Sequence, residues 1–250
     1  MDTQQQKPFN VLLIGDTCLD IYLFGNIDRL SPEAPVPIFV PTRQEEREGM
    51  AGNVYANLKK LGCNVQIVCG HNSKKTRLVD ERSKQHIVRI DEDVQSEPIV
   101  FETALPPIYD AIVICDYNKG TITYELVEEL RSEFKGPIFI DTKKTDLQRF
   151  KNCFVKINST EFDNTVSVPY SQDLIVTLGA KGTMYQTEIY PVEEIGVVDV
   201  TGAGDTFLAA LTYNYLKTKD VVESIKFANK ASSVTVQKFG VYAPSLEEIV

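Results

Sequence analysis

Ile195-Gly-Val-Val-Asp-Val-Thr-Gly-Ala-Gly-Asp-Thr-Phe-Leu-Ala-Ala210 joins three signals. A β-branched run (Val197, Val198, Val200) leads into Thr201-Gly202-Ala203-Gly204-Asp205, and an apolar helical pattern follows. Glycines beside a helix start bring backbone N–H groups, at the positive end of the helix dipole, close to any anion. A carboxylate on the same turn is a poor anion ligand. It suits a site that removes a proton while neighbouring N–H groups stabilise phosphoryl oxygens, which points to phosphoryl transfer to a hydroxyl. The plain alternative is a glycine-rich turn with Asp205 as a capping residue.

Working outward, 250 residues suffice for one large α/β domain, and the chain is expected to form a single domain over 1–250. Hydrophobic residues at 43% and charged residues at 24% describe a globular chain. A formal net charge of −9 argues against a nucleic-acid partner, which needs a basic face. Any phosphate site must then be local, built from backbone amides and a few Lys or Arg. No apolar run has the length of a membrane span, and Met1–Asn10 lacks a signal-peptide core. The five cysteines (18, 63, 69, 115 and 153) form no CxxC pair and read as reduced packing residues of a cytoplasmic protein.

Val11–Gly15 is a short apolar run of the buried parallel-strand kind, followed at once by Asp16 and Asp20. Ile21–Val40 contains Pro32, Pro35 and Pro37 and cannot be a helix or central strand. Tyr22–Gly25 and Val36–Val40 are expected as edge strands of a small flap spanning about 20–41. Its return is expected over 76–91, with strands at Thr76–Val79 and His86–Ile90 and a polar turn at His71–Lys75 before them. Glu48–Asn53 opens a helix whose apolar face runs to Leu61, and Asn64–Cys69 returns as a strand. Further strands are expected at Ala111–Cys115, Pro137–Ile140, Cys153–Ile157 and Leu174–Thr177, each ending in a polar or glycine-containing loop, with a helix at Thr123–Phe134. Two helices, Ala203–Leu216 and Val221–Gln237, close the pattern. Such alternation predicts a mostly parallel sheet flanked by helices, with a loop-built site at one edge.

Together these pieces resemble the ribokinase-like (PfkB) family of carbohydrate kinases over nearly the whole chain. Residues 199–205, DVTGAGD, match its C-terminal signature. Residues 11–40 and Glu46–Gly49, with Arg77–Asp91, Cys115–Gly120, Ile140–Lys143 and Asn158–Phe162, look like the kinase half of the lipopolysaccharide heptose enzymes. Those phosphorylate D-glycero-D-manno-heptose 7-phosphate at the anomeric hydroxyl on the way to ADP-heptose. There is no GxxxxGK[ST] loop, and Gly202-Ala-Gly204 lacks the third glycine of a dinucleotide fingerprint.

The resemblance implies ATP and Mg²⁺ as cofactors and a sugar phosphate as substrate. It makes Asp205 the base and the amides of Gly202, Ala203 and Gly204 the anion hole. Asn158 and Glu161 match the NxxE motif that organises Mg²⁺ through water; a helix cap is the alternative. Thr177, Gly179 and Gly182 fall on the ATP loop, Asn229 near the adenine, and Lys143 at a strand end facing the cleft. Asp16, Asp20, Gly49, Asn53 and Asp116 are placed at the sugar. A monovalent cation, K⁺, would lie beside Asp199.

Three departures stand out. The family's Gly-Gly before the sugar-site Asn is here Gly49-Met50, and the segments after Cys69-Gly70 and over Phe162–Asp173 are short. The expectation is an abbreviated fold with exposed sheet surface, covered by a second copy in a homodimer through the flap. The nucleotidyltransferase domain fused to some relatives has no counterpart in these residues. The competing readings are a kinase of the same fold for another sugar or nucleoside, and a non-catalytic sugar- or nucleotide-binding protein derived from a kinase.

Overall fold

In the computed structural model, residues 7–168 and 173–249 are described. Strands β1 (Asn10–Asn26) and β2 (Val40–Met50) precede α1 (Ala51–Lys60), and β3 (Asn64–Asp80), β4 (His86–Glu92) and β5 (Ala111–Asp116) lead to α2 (Tyr124–Glu133). Next come β6 (Ile138–Thr142), β7 (Phe154–Asn158), α3 (Ser159–Asp163) and β8 (Leu174–Thr177), then the short β9 (Thr183–Tyr185) and β10 (Glu188–Tyr190). Helices α4 (Ala203–Thr218), α5 (Val221–Thr235) and α6 (Leu246–Ile249) follow. The sheet order is β10-β9-β8-β7-β6-β5-β1-β3-β4, with β2 paired to β1. The six inner strands from β3 to β8 are mutually parallel, and the edges are antiparallel.

The apolar runs form this sheet because both of its faces are covered. Along β1, Val11 and Leu13 point into one core with α1, α4 and α5, while Leu12 and Ile14 point into the other with α2. Thr123 caps α2 by accepting the Leu126 N–H at 3.0 Å, and Asp220 caps α5 through Glu223 N–H at 3.0 Å.

Several expectations are corrected. No turn follows Gly15, and none spans His71–Lys75; β1 and β3 each run 17 residues from the core straight into the flap. A bulge between Gly15 and Thr17 is where the register shifts. Long parallel pairing supplies partners for a polar stretch that local pattern marks as loop. The flap's second strand is β2, which begins only at Val40; of the stretch Val36–Ile38, Pro37 forms an isolated bridge to Leu30. Its prolines cannot donate to a ladder. Val197, Val198 and Val200 lie in irregular, exposed chain, because the β9–β10 hairpin closes that sheet edge and leaves them no strand to pair with. The shortened stretch Phe162–Asp173 lies partly outside the described residues. All five cysteines are free thiols, four of them buried.

Candidate active site

The glycine turn sits where β-sheet loops and the N-terminus of α4 meet. Gly202 adopts φ +80°, and a Cβ there would come within 2.6 Å of the Asn53 amide nitrogen. Glycine is required on both counts. The amides of Gly202, Ala203 and Gly204 head a helix of 16 residues and line a cavity of about 720 Å³. Ala203 N–H is partly engaged, by a long 3.3 Å bond to Val200 O.

Asp205 lies in the first turn of α4, 6% exposed, on the wall of the same cavity. Its Oδ2 accepts from Asn53 Nδ2 at 2.9 Å and its Oδ1 from the Tyr117 hydroxyl at 2.9 Å. Burial pushes its carboxyl up to about 6. The Asp141 charge adds to that rise, while the Asn53 and Tyr117 bonds and Lys156 hold it down. Such a group is ionised at neutral pH yet basic enough to take a proton. Asn57 Nδ2 donates to Asn53 Oδ1 at 3.1 Å, so the Asn53 amide is held with its NH₂ toward Asp205.

Two lysines bring positive charge to the cavity. Lys156, on β7, pairs with Asp141, its register partner on β6, at 2.8 Å; both are buried. Its Nζ lies 2.9 Å from where a Cβ on Gly204 would be. Lys143 pairs with Glu161. Asn158 and Glu161 form a reciprocal capping box at α3: Glu161 N–H to Asn158 Oδ1 at 2.9 Å, Asn158 N–H to Glu161 Oε2 at 2.8 Å. The helix-cap alternative is thus realised at both residues, and Asn158 also lines the cavity.

Thr177, Gly179 and Gly182 line the far half of the cavity, with Val192, Ile195 and Val236 as apolar wall. Asn229 lines it too, but is no solvated helix residue: it is buried, accepts from Thr183 Oγ1 at 2.6 Å and donates to Tyr190 O at 3.0 Å.

The remaining residues cluster on the flap side of Asp205. Asp16 is buried, and its Oδ2 accepts from Tyr117 N–H at 2.7 Å and Lys119 N–H at 3.3 Å, while its Oδ1 has no hydrogen-bond partner. Asp20 pairs with Arg77 of β3, both buried. A Cβ on Gly49 would sit 2.4 Å from Asp20 Oδ2, so glycine there leaves room for that carboxylate. Asn53 contacts Asp205 directly. Asp116 does not open onto the cavity: its side chain is fully buried and holds Thr142 Oγ1 at 2.7 Å, Asn118 N–H at 3.0 Å and Lys144. Burial raises its carboxyl, against the pull of Lys144 and Thr142. It ties the β5 and β6 ends together. Met50, buried at φ +54°, adopts a conformation that favours glycine.

Asp199 stands apart from the cavity wall. Its Oδ1 accepts from Thr201 N–H (2.9 Å) and Oγ1 (2.7 Å), and its Oδ2 from Gly240 N–H (2.9 Å). Burial works to raise this carboxyl, but the Thr201 and Gly240 bonds outweigh it and keep it below the ordinary value.

Sequence reasoning missed Tyr117, Asp141, Lys156 and Arg77. A lysine inside the apolar run Phe154–Ile157 was the one visible signal.

Residues 160–249 match the pfkB family carbohydrate kinase model. A bifunctional protein HldE from a Nitratiruptor species is 32% identical, over 97% of this chain and 64% of its own length. The likeness to the pfkB family is thus carried by the C-terminal part of the chain. The chain spans less than two thirds of the length of the curated relatives it matches. The HldE alignment runs over 302 positions, more than the 250 residues present, so this chain is shortened inside the matched region. Ribokinase from Arabidopsis thaliana, solved with ribose and ATP, superposes with TM-score 0.67 at 16% identity, over 97% of each chain. Escherichia coli phosphofructokinase-2, solved with potassium, gives 0.69 at 15% identity, over 97% of this chain and 96% of that one. These structures establish the ribokinase-like fold. The pfkB match supports a carbohydrate kinase, a phosphotransferase that acts on an alcohol group.

Proposed function

We propose that this chain transfers the γ-phosphoryl group of ATP to the anomeric hydroxyl of a heptose 7-phosphate. The observation that carries the reading is Asp205, a carboxylate raised to about 6 and fixed by Asn53 and Tyr117 beside three helix-terminal N–H groups. Asp205 takes the proton of the sugar hydroxyl as that oxygen bonds to the γ-phosphorus, and the bond from γ-phosphorus to the β–γ bridging oxygen breaks, releasing ADP. The amides of Gly202, Ala203 and Gly204 stabilise the charge on the transferred group, with Lys156 and Lys143 beside them.

ATP is expected in the cavity of about 720 Å³, phosphates at the glycine turn and base against Val192, Ile195 and Val236. Among the described residues no group of three or more His, Cys, Asp or Glu could hold a metal alone. Asp141 Oδ1, buried on the cavity wall without a partner, is a hard oxygen donor of the kind Mg²⁺ takes, as are Asn158 and Glu161. These residues fit an ion held chiefly by the nucleotide phosphates, where it would neutralise their charge.

Acceptor choice is supported on the flap side. Lys75, the register partner of Asp20, adds a positive charge beside the Asp20–Arg77 pair and lies 5.6 Å from the Tyr117 ring centroid. A phosphorylated sugar suits that surface better than a neutral one. Pairing of two copies through the flap belongs to the same reading, because β4 is the sheet edge and Val36, Val40, Val88 and Ile90 are each about half exposed.

The deciding experiment is ADP release with a panel of acceptors, each product weighed by mass spectrometry. Heptose 7-phosphate should be turned over and gain one phosphoryl group. Turnover of ribose or adenosine without heptose phosphate would replace the acceptor, and no turnover with any would leave a nucleotide- or sugar-binding protein.

A further inference from the structure

Potassium is the ion the family resemblance places beside Asp199, and the donor set there does not fit it. Both Asp199 oxygens already accept hydrogen bonds, from Thr201 and Gly240. The carbonyls on either side of Gly240 accept from a single guanidinium nitrogen: Arg47 Nη1 lies 3.0 Å from Phe239 O and 3.1 Å from Val241 O. Gly240, at φ +71°, makes room for it, since a Cβ there would come within 2.4 Å of that nitrogen. The guanidinium is held from its other side by Glu45 at 2.9 Å and lies 5.3 Å from the Tyr22 ring centroid. A permanent positive charge among these oxygens repels a second cation.

We propose that Arg47 is a built-in cation, which orders the anion-hole turn from the flap and makes the protein independent of potassium. The path is continuous. Arg47 fixes the 239–241 loop, Gly240 N–H holds Asp199, and Asp199 holds Thr201, the residue before Gly202. The segment before the turn is also tied to the end of α5, by the Val198 and Asp199 N–H groups to Val236 O at 2.8 and 3.1 Å. Arg47 is also the register partner of Asp20 across β1 and β2. The strand pair that carries the sugar-side carboxylate therefore also carries the cation that sets the phosphate-side turn. Arg47 is a positioning residue: it touches neither the base nor the cavity. The inference rests on the turn being the phosphate site, and not on which sugar is the acceptor.

The test measures ADP affinity by calorimetry and thermal midpoint in KCl, NaCl and choline chloride at equal ionic strength. Wild type should give the same values in all three. Arg47→Ala should bind ADP about tenfold more weakly, in the usual range of coupling between sites, with a larger change in KM for ATP than in kcat. Added KCl or guanidinium chloride at low millimolar concentration should restore part of the loss in Arg47→Ala and nothing in wild type. Arg43→Ala is the control, because Arg43 packs over Phe24, 3.5 Å from its centroid, without reaching the loop. If Arg47→Ala does not fold, Gly240→Ala replaces it and should show the same weakening, by displacing the guanidinium. A potassium-specific rise in wild-type ADP affinity or midpoint would overturn the proposal, and so would wild-type ADP affinity in Arg47→Ala. Neither the affinity nor the midpoint needs the acceptor, so failure here is separable from failure of the heptose assignment.

Discussion

Replacing Asp205 by Asn separates catalysis from stability, with opposite expected signs. Asp205 titrates near 6 in the fold, against 3.8 for an exposed aspartate. A difference of about two pH units corresponds to about 3 kcal/mol of differential interaction. The native state holds this proton more tightly than the unfolded chain does. Stability therefore falls as pH rises from about 4 to about 6, and above that window the fold carries a desolvated carboxylate. Asn removes that charge. Its carbonyl can keep the bond from Asn53 Nδ2, and its NH₂ must turn to Tyr117, whose hydroxyl then has to accept instead of donate. That loss of fit reduces the gain to about 1–3 kcal/mol, or a midpoint rise of roughly 2–10 °C for a chain this long. Turnover should fall by about 10²–10⁴ while ADP affinity is retained. The assay is a pair of melting curves at pH 4 and pH 8 alongside steady-state kinetics. The midpoint of the variant relative to wild type should be higher at pH 8 than at pH 4, reflecting the charge contribution of about 3 kcal/mol. An Asn variant with more than a tenth of wild-type turnover would rule out Asp205 as the base, and one less stable at pH 8 than wild type would rule out a desolvated carboxylate there.

Tyr117→Phe removes a hydrogen bond that holds the Asp205 carboxyl down, so the acid limb of kcat/KM against pH should move to higher pH; an unmoved limb would mean that Asp205 is not the titrating base. Lys156→Met strands Asp141 in the core and should cost roughly 3–5 kcal/mol by denaturant melts. Lys156→Met with Asp141→Leu should recover most of that stability but not the turnover. At Met50 the usual preference for Ala over Gly should invert. Both substitutions lose the same buried side chain, but only Gly relaxes at φ +54°, so Met50→Gly should melt above Met50→Ala by about 1–2 kcal/mol.

Much of the core was legible because its signals are local. The apolar runs at 11–14, 111–115 and 138–140 are buried strands, and Thr123 and Asp220 start helices. The glycine turn and Asp205 were legible for the same reason, as their chemistry is written in consecutive residues. What was hidden depends on pairing across the sheet. Asp16, Thr17 and Asp20 look like loop, yet they lie in a strand because β3 runs alongside and Arg77 neutralises Asp20. Lys156 looks out of place in its run until the register sets it opposite Asp141. Val197, Val198 and Val200 show the converse, strand-forming residues with no neighbouring strand. Arg47 is the extreme case, since its partners lie more than 190 positions away in sequence.

One strand, β1, begins in the central sheet at Asn10 and ends in the flap at Asn26. At about 3.3 Å per residue it is a beam roughly 55 Å long, rooted at one end and loaded at the other. β3 lies beside it for almost the whole length, broken in register only at Gly15–Thr17. A flap carried on such a pair has no loop hinge on which to swing; it moves as a cantilever, by bending and twisting about the bulge. Its stiffness is then set by backbone pairing, and amide exchange along β1 should quicken gradually from Val11 toward Asn26, without a step between core and flap.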